Sequence, residues 1–329
     1  MPLINRCGGG GGTPQLCGQV ENFEASLGNL SATLSWTAPS PDEDNSFVGA
    51  RIVRKTGSAP TGINDGTVVY EGTALTYTDT GLTAGTTYYY RAFAYNAKKK
   101  YQTEYRVINK TAMAIYSNFA DNDWDAIIEA CHSGNVLDTW VVGDSKTMTI
   151  DGVNYQFDIV GKNHDTYTAG GIAPLTFGLH DCYGTTYPMN SSNTNDTGWD
   201  GSKMREETIP AILAKMPVNI QNGIRSVKKR TAKSGRDETI KTASDKLFTF
   251  SEMEVYGRAT GSYSGEGKQY DYYKAGNSKV KKVGSTASVW WLRSPSASWN
   301  DSFRVVDTDG SVKSNTARAS NGVCFGFCF

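Results

Sequence analysis

Trp290-Trp291-Leu292-Arg293-Ser294-Pro295 and, at the C-terminal end, Gly322-Val323-Cys324-Phe325-Gly326-Phe327-Cys328-Phe329 are the stretches whose reading decides the fold. Both are apolar and aromatic. Between them, residues 296–321 are almost wholly small and polar. Only Phe303, Val305, Val306 and Val312 are clearly apolar between Trp299 and Val323. A rigid frame therefore brackets an insert that cannot bury itself. Such an insert is expected at the surface, where loops carry function. Trp290, Trp291, Leu292, Phe325 and Phe327 are the expected frame.

Working outward, residues 111–289 carry mixed signals. Trp124, Ile127, Ile128 and Cys131 fall at i, i+3, i+4 and i+7, which predicts an amphipathic helix over 121–133. Asp121 or Asp123 can cap it, and Gly134 suits its stop. Residues 140–143, 146–150 and 155–160 read as strands, the last two joined by the hairpin turn signal Asp151-Gly152. A second helix is expected over 202–214, interrupted near Pro210, and a strand over 224–228. Ser251-Glu252-Met253-Glu254 is a capping box for a short helix ending at Gly257, and 261–277 reads as a Gly/Tyr loop. Helices, short strands and long irregular connections predict an α+β domain over 111–329.

Residues 19–110 are patterned as strands throughout. Leu34 and Trp36 share one face of 32–36; Tyr88, Tyr90, Ala92 and Ala94 share one face further on. About seven short strands with turns every eight to twelve residues predict an all-β immunoglobulin-like sandwich. The Trp36 strand and the Leu82-x-x-Gly85-x-x-Tyr88 corner resemble a fibronectin type III domain, whose expected role here is a spacer. Residues 1–18 include Cys7 followed by five glycines, a composition that reads as a flexible hinge. The segment is either a tail or an attachment segment that orders against a partner.

Charge is balanced, 33 basic against 33 acidic residues, so no electrostatic footprint for nucleic acid is visible. No stretch approaches the ~20 apolar residues of a membrane span. Residues 1–17 lack the apolar core of a signal peptide. The six cysteines do not follow a zinc spacing. Cys324 and Cys328 on one strand would lie about 13 Å apart, too far for a disulfide, so buried structural thiols are expected. His164-Asp165 and His180-Asp181 are candidate metal dipeptides, but they read better as hydrogen-bonded structural pairs, and no cofactor is expected. Trp299-Asn300-Asp301 matches a calcium signature of sugar-binding C-type lectins. The accompanying Glu-Pro-Asn or Gln-Pro-Asp loop is missing from the sequence, and the triplet reads as coincidence.

The Trp-Trp-Leu-Arg-Ser-Pro motif, the polar insert and the terminal Gly-Val-x-x-x-Phe-Cys together resemble C-type-lectin-fold proteins of phages and bacteria. Some of these are the variable proteins of diversity-generating retroelements. The resemblance covers residues 111–329. It implies a C-type-lectin-like fold with a buried first motif and a diversified insert, 296–321, that supplies the ligand surface. Candidate ligand-binding residues are Ser296, Ser298, Trp299, Asn300, Asp301, Ser302, Arg304, Asp307, Asp309, Ser311, Lys313, Asn315, Thr316 and Arg318, with Trp299 and Arg304 as anchors. Diversification there starts from adenines, scattering Asn codons. Trp299 and Lys313 need codons ending in A or G and depart from that pattern.

The function expected from the resemblance is a non-enzymatic phage or prophage tail-tip receptor-binding protein. It would be assembled in the host cytoplasm and carried on the virion. Expected partners are a host-cell surface receptor, protein or glycan, and tail or baseplate proteins through residues 1–18. A homotrimer is expected, with no nucleic acid and no membrane insertion. An oxidase of the formylglycine-generating kind and a bacterial surface adhesin remain open alternatives.

Overall fold

The computed structural model describes residues 18–40, 47–102 and 106–329. The chain divides into two compact units, Met1–Ile115 and Tyr116–Phe329. Cys7, Cys17, the five-glycine run and the expected attachment segment up to residue 17 lie outside the described residues.

In the first unit, alternating side chains build seven strands: β1 (Glu21–Gly28), β2 (Ser31–Thr37), β3 (Phe47–Thr56), β4 (Thr67–Gly72), β5 (Thr76–Thr80), β6 (Thr87–Asn96) and β7 (Arg106–Thr111). They form two antiparallel sheets, β1-β2-β5 and β4-β3-β6-β7. The unit is an all-β sandwich. Its core takes Ala32, Leu34 and Trp36 from β2 and Tyr88, Tyr90, Ala92 and Ala94 from β6. Residues two apart on a strand face the same way, so each strand offers one apolar edge to the partner sheet. The Tyr88 hydroxyl accepts the Thr83 N–H at 3.1 Å, closing the corner that Leu82 and Gly85 announce. Asp79 is buried and accepts both Arg54 (2.8 and 2.9 Å) and the Tyr90 hydroxyl (2.9 Å). Beyond β7, Leu30 N–H reaches Met113 O at 2.9 Å and Ile115 N–H reaches Asn29 Oδ1 at 3.0 Å. These bonds tie residues 112–115 to the sandwich, which is why the unit extends a few residues past 110.

The second unit opens with α1 (Trp124–Ser133), which starts after Asp123 and stops at Gly134 in the left-handed region. β8 (Ser145–Ile150) and β9 (Val153–Lys162) follow as a hairpin whose turn residues, Asp151 and Gly152, both have positive φ. β10 (Leu175–Leu179) pairs with β9. The strand expected over 140–143 is instead a turn: Asp144 Oδ2 accepts the Val141 N–H at 2.8 Å, and Gly143 has φ +100. The helix expected over 202–214 begins as a π turn, Met204–Thr208, and continues as α2 (Ile209–Leu213), with Pro210 in its first turn. Ile209 N–H reaches back to Met204 O, a wider spacing that accommodates the missing proline donor. α3 (Val218–Gly223) leads into β11 (Val227–Ser234) and β12 (Asp237–Asp245), a long hairpin of which the sequence reading found only the start.

β13 (Leu247–Thr249), α4 (Glu252–Tyr256), α5 (Asp271–Lys274), β14 (Lys281–Val283) and β15 (Thr286–Ser288) complete the approach to the frame. α5 interrupts the stretch expected to be loop. β16 (Trp290–Pro295), β17 (Ser302–Val306) and β18 (Val312–Thr316) form one antiparallel sheet, and β19 (Phe325–Cys328) enters another, of order β13-β19-β10-β9-β8. Phe325 and Phe327 join Phe157, Phe177 and Trp124 in an aromatic core with ring centroids 5.3 to 6.5 Å apart. On the opposite face Gly326 pairs with Gly178. A Cβ at Gly178 would come within 2.8 Å of the Phe250 ring, and one at Gly326 within 3.1 Å. The paired glycines make room for that ring.

Candidate functional site

Trp290, Trp291 and Leu292 are buried, and between Leu292 and the insert the frame is built from charge. Arg293 is fully buried. Its guanidinium donates to Glu254 Oε2 (2.6 Å) and Oε1 (2.7 Å), Thr249 O (2.7 Å), Thr231 Oγ1 (3.0 Å) and Glu266 O (3.0 Å). Glu254 is also the third residue of the capping box, accepting the Ser251 N–H at 3.1 Å. Lys229 of β11 lies 2.6 Å from Glu254 and 2.8 Å from Asp165. The Asp165 carboxylate also accepts Thr176 Oγ1–H and Tyr270 O–H, each at 2.7 Å. Burial pushes Asp165 up, but the Lys229 ammonium and these hydrogen bonds outweigh it and hold the group at about 2. Glu266 has the opposite outcome. Burial dominates and raises it to about 7, although it accepts the Ser294 hydroxyl and the Ala232 N–H.

The insert is more buried than its composition implies. All of β17 is buried. Arg304, expected as a binding anchor, donates to Glu252 Oε2 (2.9 Å) and Ser314 Oγ (2.7 Å). The Ser314 hydroxyl passes the line on to Ser296 Oγ at 3.1 Å. Ser296 and Arg304 are therefore internal members of a polar ladder, and Ser302, also buried, bonds Asp301; none of the three is a surface contact. The reason is the buried Glu252: a carboxylate without water requires a paired cation.

The remaining candidates fall into two groups at opposite ends of the β17–β18 hairpin, about 13 Å apart for four strand steps. At one end Ser298, Trp299 and Asn300 are exposed, Trp299 by 63%. Their backbone is held from beneath. Buried Asn195 places Nδ2 at 2.9 Å from Trp299 O, 2.7 Å from Ser302 O and 3.2 Å from Ser296 O. Asn195 N–H donates to Asn300 O at 2.8 Å, and Ala297 N–H to Gly261 O at 2.8 Å. Asp301, half-buried, accepts the Ser302 hydroxyl at 2.6 Å, and exposed Arg318 donates its N–H to Asn193 Oδ1 at 3.0 Å. At the other end Asp307, Asp309 and Ser311 form a self-bonded turn, with Lys313 paired to Asp307. Asn315 and Thr316 are half-buried, and Asn315 Nδ2 reaches Asn321 Oδ1 at 3.2 Å.

Among the described residues no group of three or more His, Cys, Asp or Glu side chains is placed to hold a metal. His164 stacks on Tyr270, with ring centroids 4.0 Å apart, and His180 bonds Asp158 at 2.8 Å. Cys131, Cys182, Cys324 and Cys328 are buried free thiols. Burial raises Cys324 to about 11, far from the thiolate character that redox or nucleophilic chemistry needs. The residue the sequence reading missed is Asn195. Its signal was present in 190–196, seven consecutive Asn, Ser, Thr and Asp residues of the kind that bond nearby backbone.

Residues 176–328 match a family described as a domain of unknown function, DUF6273. That span holds the frame, Asn195, the insert and the charged network except Asp165, and falls short of half the chain. No curated protein matches the sequence. Solved structures similar to the chain include a computationally redesigned β-sandwich protein, 20% identical, covering 31% of this chain and 95% of that one, TM-score 0.25. A fibronectin type III domain of human fibronectin type III domain containing protein 3 is 20% identical over 32% and 94%, TM-score 0.26. The 6th such domain of the human protein of that name is 18% identical over 33% and 93%, TM-score 0.25. At these TM-scores the likeness adds nothing to what the strand order of the sandwich already establishes.

Proposed function

We propose that this chain is a binding protein that displays the insert on a C-type-lectin-like head, with a fibronectin type III-like sandwich as spacer. The observation that carries the reading is Trp299. A large aromatic side chain stands 63% exposed on a loop whose backbone is clamped by buried Asn195. Burying apolar surface is the main drive of folding, so a rigidly held exposed tryptophan marks an anchor for a ligand. Ser298, Asn300, Asp301 and Arg318 surround it as adaptable polar contacts. Asp307, Asp309, Ser311 and Lys313 offer a second, separate edge. Thr316 and Asn315 pair with Ser302 and Phe303 and so lie at the Trp299 end of the hairpin.

The setting we propose follows the sequence resemblance: a phage or prophage tail tip, a diversified insert, a host-surface protein or glycan as ligand, trimeric avidity, and attachment to the tail through residues 1–18. The mechanism is display. The frame fixes the loop backbone, so exposed side chains can change without unfolding the head. A labelled chain tested against a panel of bacterial cells should adsorb to some of them. The combined variant Ser298→Ala, Trp299→Ala, Asn300→Ala should keep its melting temperature and lose adsorption. Adsorption undiminished in that variant would contradict the assignment.

A further inference from the structure

The second unit carries a cleft outside the insert. It measures about 510 Å³ and is walled by Tyr155 and Gln156 of β9, by His180 and Asp181 just after β10, and by Lys282 of β14. No residue of 296–321 lines it. Its volume falls in the range of small-molecule sites, which run from about 300 to 1,000 Å³.

His180 stands half exposed in this cleft, and its Nδ1 lies 2.8 Å from Oδ2 of buried Asp158. The same carboxylate accepts Gln156 Nε2–H at 3.3 Å and bonds the Tyr272 side chain behind it. Nδ1 is thereby committed as a donor, and Nε2 has no protein partner among the described residues. The Asp158 hydrogen bond outweighs burial and keeps the imidazole protonated to higher pH than usual. The other charges around the ring are accounted for. Lys281 is turned inward, donating to Leu179 O at 2.5 Å and His180 O at 2.8 Å. Asp181 is tied down by the Lys282 N–H at 2.8 Å. Lys282 is exposed at the rim, and Tyr155, stacked on Tyr183 at 5.0 Å, supplies an aromatic wall.

We propose that this cleft binds an acidic molecule of monosaccharide size, its carboxylate or phosphate accepting from His180 Nε2–H beside Lys282, and its ring lying against Tyr155. The shared chemistry is an anion on a polar ring. The site does not depend on the reading of the insert, because it shares no residue with it.

The test uses the full chain with glucuronate, glucose 6-phosphate and neutral glucose as probes, by calorimetry and by ¹⁵N spectra of the histidines. At least one acid should bind near pH 6 and weaken at least about tenfold once His180 has lost its proton, a loss followed in the same ¹⁵N spectra, while glucose should not bind. The stronger acid identifies the anion the site prefers. His180→Gln should abolish binding with the fold intact. If that variant melts early, the wild-type spectrum decides instead: the His180 Nε2 signal should move on adding the acid. Failure of both acids to bind near pH 6, glucose binding as tightly as glucuronate, or a still His180 signal on saturation would each overturn the proposal.

Discussion

At the scale of single residues the head depends on buried charge. Arg293, fully buried, satisfies Glu254 through two hydrogen bonds. Arg293→Met would leave that carboxylate with Lys229 as its one paired cation among the described residues, at a cost of about 3–5 kcal/mol. A melt monitored by circular dichroism should show the second unit destabilised or unfolded. Glu266 sets a pH dependence. Its ordinary value is 4.5 and its folded value about 7, so between these the folded chain keeps a proton that the unfolded chain has lost. The stabilisation is full below about 4.5 and is lost as pH rises through about 7, by a few kcal/mol at most. Asp165 runs the other way, losing its contribution as pH falls towards about 2. Urea midpoints measured from pH 5 to 8 should therefore decline with pH, and Glu266→Gln should flatten the decline. A flat wild-type profile would contradict this. None of the network could be assembled from the sequence, since Asp165, Lys229, Glu254, Glu266 and Arg293 are scattered over more than a hundred positions and no local pattern joins them.

At the scale of elements, legibility followed the purity of the pattern. α1 was readable because Trp124, Ile127 and Cys131 keep one face and Asp123 and Gly134 mark the ends. The capping box at Ser251 and the hairpin at Asp151-Gly152 were readable because their chemistry is local. β11 was not, because its inward residues are Val227, Lys229 and Thr231, and a buried lysine breaks the apolar alternation. β17 misled in the opposite sense. Polar neighbours suggested a surface loop, yet Arg304 is buried because Glu252 awaits it. The exposed loop and β17 should therefore respond differently. Ser298→Ala or Asn300→Ala should shift stability by less than about 0.5 kcal/mol. Arg304→Ala should cost several times that, by stranding a buried carboxylate. Asn195→Ala should cost about 1–3 kcal/mol, since it strips hydrogen bonds from the Trp299 loop. Thermal melts of the four variants check the ranking.

At the scale of the whole molecule the chain pairs an all-β sandwich with a second unit of helices and sheets built on an aromatic and ionic frame. Expressed alone, residues 18–115 should melt as one cooperative transition, because both sheets and the residues that tie 112–115 to them are included. Trp291→Ala in the full chain should cost about 3–5 kcal/mol and leave that transition unchanged. The apolar alternation is clean through the sandwich and is lost in the second unit, which begins at Tyr116 and not at 111. The sequence could not reveal that the insert splits into two surfaces joined by a buried strand, because that follows from pairing partners far away in sequence.

The central claim is that the insert is a surface for binding carried on a fixed frame, and the most direct measurement is the coding sequence of 296–321 in sister isolates. The account predicts replacements concentrated at exposed and half-buried positions such as Ser298, Asn300, Asp301, Asp309 and Arg318, with Ser296, Arg304 and the rest of β17 unchanged. Replacements spread evenly over buried and exposed positions, or an insert no more variable than the frame, would contradict it.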